Sequence, residues 1–330
     1  MKILAIETSC DETAIALVEA SGGLKSPKFK IVENIVSSQI KIHRPFGGVV
    51  PNLAKREHIK NLPIIFKQIA KSKEQIDLLA VTVGPGLEPA LWTGINFAKE
   101  IKEKYFPDVK IIGANHLEGH LYSFLLQQKA VNPKSKILIS KFPAIALIVS
   151  GGHTILLLME SLTKWKKIGE TQDDAVGEAF DKVAKMLNLP YPGGPEIEKI
   201  SLKGNPSAIN FPRPMINQKN YNFSFSGLKT SVLYYFRDNP KTKKADIAAS
   251  FQKAAIDVLT KKTERAAKEF RAKSIMLSGG VAANKSLRKE LKKTSQKLKA
   301  NFLAPGFEFN TDNAAIIGVA AYINFLKKKN

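Results

Sequence analysis

Ile3-Leu4-Ala5-Ile6 runs through Glu7-Thr8-Ser9-Cys10-Asp11-Glu12-Thr13 into Ala14-Ile15-Ala16-Leu17-Val18. Ile145-Ala146-Leu147-Ile148-Val149 runs through Ser150-Gly151-Gly152-His153-Thr154 into Ile155-Leu156-Leu157-Leu158. Residues 3–19 lie over residues 144–160 without a gap, and Ser9, Thr13 and Glu19 fall on Ser150, Thr154 and Glu160. Each copy reads as two apolar strands joined by a tight polar turn. Two unrelated buried hairpins would share the apolar pattern; the three polar coincidences favour an internal duplication. Hairpins with backbone N–H groups and small polar side chains at their tips suit a pair of lobes that clamp the phosphate of a ligand held between them.

Outward from these hairpins, strands are expected at about 2–8, 13–19, 29–37, 77–83 and 109–114, with helices near 50–72, 87–104 and 116–128. Residues 129–142 read as a connection, and the pattern restarts with strands near 143–150, 153–159 and 164–168 and helices near 175–188 and 193–203. An Asn- and Pro-rich stretch follows over 204–244, then helices at about 245–271, 281–299 and 312–327, with a short buried strand at 274–278. Strands alternating with helices predict an α/β chain whose mixed sheets are covered on both faces. At 330 residues there is length for two domains with separate cores.

The single cysteine, Cys10, rules out an internal disulfide framework and fits a reducing compartment. No stretch approaches the ~20 apolar residues of a membrane span, and Met1-Lys2 leads straight into a strand and not a signal peptide, so a cytoplasmic protein with no membrane partner is expected. The net charge of +22 points to a polyanion such as nucleic acid. The excess is carried by 44 Lys against 7 Arg, whereas bidentate phosphate or base recognition favours arginine. Part of the charge therefore reads as compositional bias.

His116 and His120 are four apart in a helical segment, so both imidazoles project from one face and can share a metal. Zincins and inverzincins place a glutamate beside one of their histidines; here Glu118 lies two residues from each and faces away, where it suits a capping box with Asn115. That spacing disfavours a metalloprotease. Asp312, at a helix start, is a candidate third ligand, with the helix cap as its competing role.

Three further stretches suit a nucleotide. The Ser150-Gly151-Gly152-His153-Thr154 turn allows close backbone approach by a phosphate or carboxylate, although a plain glycine hairpin reads the same way; His153 either contacts that ligand or fills the turn. Residues 169–182 gather acids at a helix start, where Glu178 and Asp181 lie three apart and suit ribose hydroxyls, and Tyr191-Pro192-Gly193-Gly194-Pro195 forms a tight turn able to pack on a flat group. Ser278-Gly279-Gly280-Val281-Ala282-Ala283-Asn284 joins a strand end to a helix start, where free N–H groups favour phosphate. In the following helix Lys285, Lys289, Lys293 and Lys297 recur opposite Leu287, Leu291 and Leu298, either tracking nucleic acid or solvating an outer face.

Glu7-Thr8-Ser9-Cys10-Asp11-Glu12-Thr13, His116-Leu117-Glu118-Gly119-His120, Val149-Ser150-Gly151-Gly152-His153-Thr154, Gly177-Glu178-Ala179-Phe180-Asp181-Lys182, Tyr191-Pro192-Gly193-Gly194-Pro195, Ser224-Phe225-Ser226-Gly227-Leu228-Lys229-Thr230, Ser278-Gly279-Gly280-Val281-Ala282-Ala283-Asn284 and Thr311-Asp312-Asn313-Ala314 together resemble the bacterial tRNA N6-threonylcarbamoyladenosine transferases, in the family's order and over nearly the whole chain. The resemblance implies two duplicated RNase H-like lobes of the actin/Hsp70/hexokinase (ASKHA) type, here residues 1–136 and 137–310, with the helix of 311–330 packing back on the first. It implies one divalent metal, usually iron with zinc as the alternative, on His116, His120 and Asp312. It also implies threonylcarbamoyl-AMP on Ile148, Val149, Ser150, Gly151, Gly152, Asp181, Gly194 and Asn284, and tRNA as acceptor. Glu12, with Asp11 beside it, is expected as a base or positioning group. Implied partners are a degenerate paralogue of the same fold and a small P-loop ATPase.

The chain departs from the family where Asn52 replaces glutamate, Lys55 replaces serine and Glu88-Pro89 replaces small residues, changes expected at a partner surface. Arg213, Lys219, Lys229 and the lysine stripe are candidate tRNA contacts, partly interleaved with aromatics. A small-molecule kinase of the same superfold and a catalytically silent nucleotide-binding scaffold are the alternatives; the kinase gives the two histidines no task.

Overall fold

The computed structural model describes residues 1–69, 75–126 and 141–329. In chain order the elements are β1 (Lys2–Glu7), β2 (Glu12–Ser21), β3 (Lys28–Ser38), α1 (Ile40–His43), α2 (Pro51–Ile69), β4 (Leu78–Gly84), α3 (Glu88–Tyr105), β5 (Lys110–Asn115) and α4 (His116–Tyr122). They continue with β6 (Ala144–Val149), β7 (Thr154–Met159), β8 (Trp165–Glu170), α5 (Val176–Met186), α6 (Gly193–Ser201), α7 (Ser226–Asp238) and α8 (Lys244–Glu269). The last are β9 (Ser274–Ser278), α9 (Lys285–Lys297), β10 (Asn301–Leu303) and α10 (Ala314–Lys329). The described residues divide into two units, 1–126 with 305–329, and 141–304. The expected connection over 129–142 and the boundary at 136 lie outside the described residues, save for 141 and 142.

The duplication read from the two hairpins is present in the strand pairing. Ile3 faces Val18 in the β1–β2 hairpin and Ala144 faces Met159 in the β6–β7 hairpin, the same register carried 141 positions along the chain. One sheet has the order β3-β2-β1-β4-β5 and the other β8-β7-β6-β9-β10. In both, the hairpin strands pair antiparallel, and the last two join in parallel. This is an RNase H-like topology, made twice. β1 and β6 are buried throughout apart from half-buried Lys2, and apolar on both faces save for Lys2 and Glu7 at the ends of β1, as suits central strands between two helical layers. The outer strands β3 and β8 expose Lys28 and Lys30, or Lys166 and Lys167, charges that discourage edge-to-edge pairing.

In the second unit the helix α5 shows why its sequence folds as it does. Val176, Ala179, Phe180, Val183 and Ala184 recur at helical spacing, are all buried, and pack in the core with Ile145, Leu147 and Phe251. In the first unit α10 packs on β1, β2 and β5 and crosses α4 at Gly119. A Cβ there would meet Ile316 and Ile317 side chains at 3.0–3.1 Å, so glycine lets the two helices approach.

Several elements differ from expectation. The helix expected over 116–128 ends as α4 at Tyr122 and tightens into a 3-10 turn over Ser123–Leu125. The helix expected from 281 begins at Lys285 after a 3-10 turn over Gly280–Ala283. The stretch read as irregular contains α7, in which only Leu228 and Val232 are buried and whose first N–H groups are satisfied by Asp173, a distant acceptor. The three-residue β10 exists only through its pairing with β9.

Candidate metal centre and ligand cradle

β5 delivers the chain directly into α4, and Asn115 caps that helix by accepting from the Glu118 N–H at 3.2 Å. One turn separates His116 from His120, whose rings lie 4.7 Å apart, edge to face. Asp312 comes from the turn before α10; its Oδ1 is 3.1 Å from His120 Nε2 and 3.5 Å from His116 Nε2. Asn313 accepts from the Ile316 N–H at 3.3 Å, and so carries a capping bond of the helix for which Asp312 was a candidate. Glu118 completes only half of the expected capping box: its carboxylate accepts from Asn324 Nδ2 at 2.6 Å, turned toward α10.

Among the described residues, His116, His120 and Asp312 form a three-residue group able to hold a metal, with ligand atoms within 4.8 Å of one another. Metal–nitrogen and metal–oxygen bonds of about 2.1 Å at angles of 90–109° put donors roughly 3.0–3.4 Å apart, close to the Nε2–Oδ1 spacings here. Two imidazoles and one carboxylate suit iron(II) with open positions, or zinc. His120 Nδ1 is buried without a hydrogen-bond partner. The residues fit a divalent metal. Burial opposes charge on His116, but the Asp312 and Glu7 carboxylates outweigh it and push the imidazole up to about 9, so a metal binding there would displace a proton.

The tip of the β1–β2 hairpin carries Asp11 and Glu12. Burial, with Asp312 adding to it, raises the Asp11 carboxyl above its ordinary value. Glu12 is buried, its Oε1 accepting from Ser38 Oγ at 3.0 Å while Oε2 has no partner. Burial and then the Asp11 charge push this carboxyl up to about 8, a value suited to proton transfer near neutral pH. The tip is held from behind: His58 Nε2 donates to Cys10 O at 2.9 Å, and its Nδ1 meets Thr13 Oγ1 at 2.8 Å. Gln39 N–H donates to Asp11 O at 3.0 Å. Sequence reasoning did not find His58, Gln39 or Ser38, whose roles depend on pairing across β2 and β3 and on packing of α2 on that strand.

In the second unit the β6–β7 tip is closed by Ser150, whose N–H bonds His153 O at 2.8 Å and whose Oγ accepts from the His153 N–H at 3.0 Å. Thr154 Oγ1 accepts from Val176 N–H at 2.9 Å, fastening the start of α5 to this hairpin. A Cβ on Gly177 would lie 2.5 Å from Ser150 O, and one on Gly279, where φ is +90°, 2.3 Å from Val149 O. Both glycines are required for the chain to close around the hairpin base. Gly151, Gly152, Gly194 and Gly280 have no atom within 4 Å of the Cβ position and leave their backbone approachable. Ile148 and Val149 are buried as whole residues, 1% and 0% exposed, in the strand that carries the tip.

Asp181 Oδ1 accepts from Gly193 N–H at 2.6 Å and so holds the start of α6. Glu178 forms an ion pair with Lys182 at 2.8 Å. Asn284 caps α9 through Leu287 N–H at 2.9 Å and donates to Gln252 at 2.7 Å. Both bonds of its side chain are made within the protein.

The candidate tRNA contacts divide. Arg213 pairs with Asp257 and Lys229 with Asp174, both inward. Phe211, Tyr221, Phe223 and Phe225 are buried core residues, because this stretch packs under α8, whereas Tyr234 of α7 is 52% exposed. Lys219 is exposed, as are Lys285, Lys289, Lys292, Lys293 and Lys297 of α9. Lys293 pairs with Glu290 and Lys297 with Glu264. Lys55, Glu88 and Pro89, three of the departing residues, line one groove of about 560 Å³ between α2 and α3, with Ile59 and Trp92 half-exposed beside them.

Among the described residues no helix is long and apolar enough to cross a membrane. The sequence profile of a family described as tRNA N6-adenosine threonylcarbamoyltransferase matches residues 30–319. The chain is 50% identical to the protein of that name from Thermosipho africanus over 98% of this chain and 94% of the relative. It is 49% identical to the one from Thermosipho melanesiensis over 98% and 94%. Among solved structures, the activator of the 2-hydroxyisocaproyl-CoA dehydratase from Clostridium difficile, with bound ADPNP, superposes with a TM-score of 0.53 at 14% identity, over 100% of this chain and 97% of that one. That likeness concerns the fold, which is of the ASKHA type.

Proposed function

The chain belongs to the tRNA N6-adenosine threonylcarbamoyltransferase family, and from that premise we propose that it moves a threonylcarbamoyl group onto N6 of adenosine 37 in tRNAs that read codons beginning with A. The donor in this reading is threonylcarbamoyl-AMP: N6 attacks the carbamoyl carbon, the bond from that carbon to the phosphate oxygen breaks, and AMP departs. The observation that carries the reading is the closure of His116, His120 and Asp312 on one another. A kinase or a silent scaffold of the same fold leaves that group without a task.

The metal of this proposal is one divalent ion, iron(II) with zinc as the alternative, on those three residues. When bound, it supplies Lewis-acid polarisation of a carbonyl oxygen. Glu12 Oε2, buried and unpartnered, takes the proton that N6 loses as the new C–N bond forms. Asp11 lies beside it and keeps its proton affinity high. In the second unit the backbone N–H groups of Gly151 and Gly152 meet the phosphate, whose growing charge on the departing AMP they stabilise, while Ile148, Val149 and Ser150 form the strand end and turn that carry them. Asp181 holds the turn at Gly193 and Gly194 against which the adenosine rests, and Asn284 fixes the start of α9. An anticodon-loop adenosine is already single-stranded, so presenting it costs little unpairing.

Lys285, Lys289 and Lys292 would meet tRNA phosphates, on the side of α9 opposite buried Leu287 and Leu291. The groove lined by Lys55, Glu88 and Pro89 would receive the paralogue, since an exposed Trp92 and Ile59 there lack cover within the described residues. A small P-loop ATPase completes the proposed set, in the cytoplasm. Incubation of the purified chain and His120→Ala with threonylcarbamoyl-AMP and unmodified tRNA, beside ATP with candidate sugars and acids, tests the reaction. Modified nucleoside from the parent protein alone is expected. Phosphorylated small molecules, or full activity without His120, would reject it.

A further inference from the structure

Behind His116, on the side away from Asp312, lies a carboxylate that the proposed chemistry does not use. Glu7 ends β1 and is fully buried. Its Oε1 accepts from the Ser9 N–H at 2.5 Å, and its Oε2 accepts from Thr82 Oγ1 at 2.5 Å and lies 3.3 Å from His116 Nδ1. Ser9 Oγ is 3.1 Å from the same nitrogen. A buried carboxylate is expensive unless its oxygens are hydrogen-bonded. Here the donors come from three elements, β4 and α4 as well as the β1–β2 turn, so the carboxylate has one orientation. His120 has no counterpart, its Nδ1 being buried without a partner.

We propose that Glu7 is a positioning residue: it accepts the Nδ1–H of His116, confines that proton to Nδ1, and so turns the Nε2 lone pair toward Asp312 and the metal. The inference rests on the metal reading above but assigns the orientation of the pair of imidazoles to one of them. His116 is the ligand set in place before binding, while His120 is held only by packing and by Asp312. The chemistry of Glu7→Gln follows from the donors. The Ser9 N–H requires an acceptor at Oε1, so the amide NH2 falls at Oε2 and faces His116 Nδ1. A donor there makes Nδ1 the acceptor and moves the imidazole proton to Nε2, onto the atom that must bind metal. Removal of such an outer partner typically weakens metal binding 10–100-fold.

The test uses zinc(II) as a diamagnetic probe on the full chain. Zinc affinity is measured by chelator competition for the parent protein, Glu7→Gln and Thr82→Val, which removes one donor to Glu7 and leaves the carboxylate beside the ring. The expected result is a 10–100-fold loss for Glu7→Gln and a much smaller one for Thr82→Val. Histidine 15N spectra of the zinc-loaded parent protein require no variant, and should show His116 protonated at Nδ1 with Nε2 metallated. Equal affinities for the parent and a folded Glu7→Gln, or zinc on His116 Nδ1, would overturn the assignment. Failure of the parent protein to bind zinc or iron(II) would instead remove the metal reading on which it stands.

Discussion

Glu12 carries a prediction in which stability and chemistry are read from the same atom. Its carboxyl is pushed from 4.5 to about 8 by burial and the neighbouring Asp11 charge. Between those values the folded protein holds a proton that the unfolded chain has released, so unfolding releases it and stability falls as pH rises. The contribution is fully present below the unfolded value, declines through the window, and is gone above about pH 8. A span of about 3.5 units at about 1.4 kcal/mol each gives on the order of 5 kcal/mol. Glu12→Gln is shaped like the protonated carboxyl and keeps an acceptor for Ser38 Oγ, so it lacks this pH dependence. Urea titrations in chelator from pH 5 to 9, with Trp165→Phe in both proteins so that Trp92 of α3 reports the first unit, measure the difference. Variant and parent should agree near pH 5, diverge by up to about 1.4 kcal/mol per pH unit in favour of the variant, and level off above pH 8. Parallel curves across the range would show that Glu12 is ionised at neutrality and refute the burial argument.

Replacing Lys285, Lys289 and Lys292 by Gln should raise KM for tRNA with kcat unchanged, and flatten the slope of log affinity against log salt by roughly 0.7–0.9 for each phosphate that is no longer neutralised; an unchanged slope would place the RNA elsewhere. Exchange of the exposed lysines Lys25, Lys28 and Lys110 in the first unit is the control for net charge. Trp92→Glu should leave the fold intact, since the side chain is half-exposed, but abolish co-elution with the paralogue on size exclusion; retained association would move the docking face away from the groove between α2 and α3.

The duplication was legible in the sequence because a hairpin is local. Two continuous apolar runs and a polar turn are properties of some 17 consecutive residues, and Ser9 with Ser150 and Thr13 with Thr154 marked the copies. The hairpin registers, and most helices with a strong apolar stripe such as α5, follow from the same short-range rule. The pairing of His116 with His120 was likewise legible, since four residues is one helical turn. Spacing alone could not weigh a cap against a ligand at Asp312; the family resemblance named it as the third ligand.

What tertiary structure decided was every partnership between distant residues. α7 escaped the sequence reading because Asp173, more than fifty positions earlier, satisfies its first N–H groups, so no local capping signal exists. Phe211, Tyr221, Phe223 and Phe225 near it are core residues, which the sequence did not show, since periodicity does not state what packs above them. Glu7 stood in plain sight at the end of an apolar strand. Only the placement of β4 and α4 beside β1 brings Thr82 and His116 to its oxygens, and the carboxylate's task depends on those atoms. Sequence determines which groups a short segment can present; folding determines which of them meet, because hydrogen bonds and metal ligation act over about 2–3 Å whatever the separation along the chain.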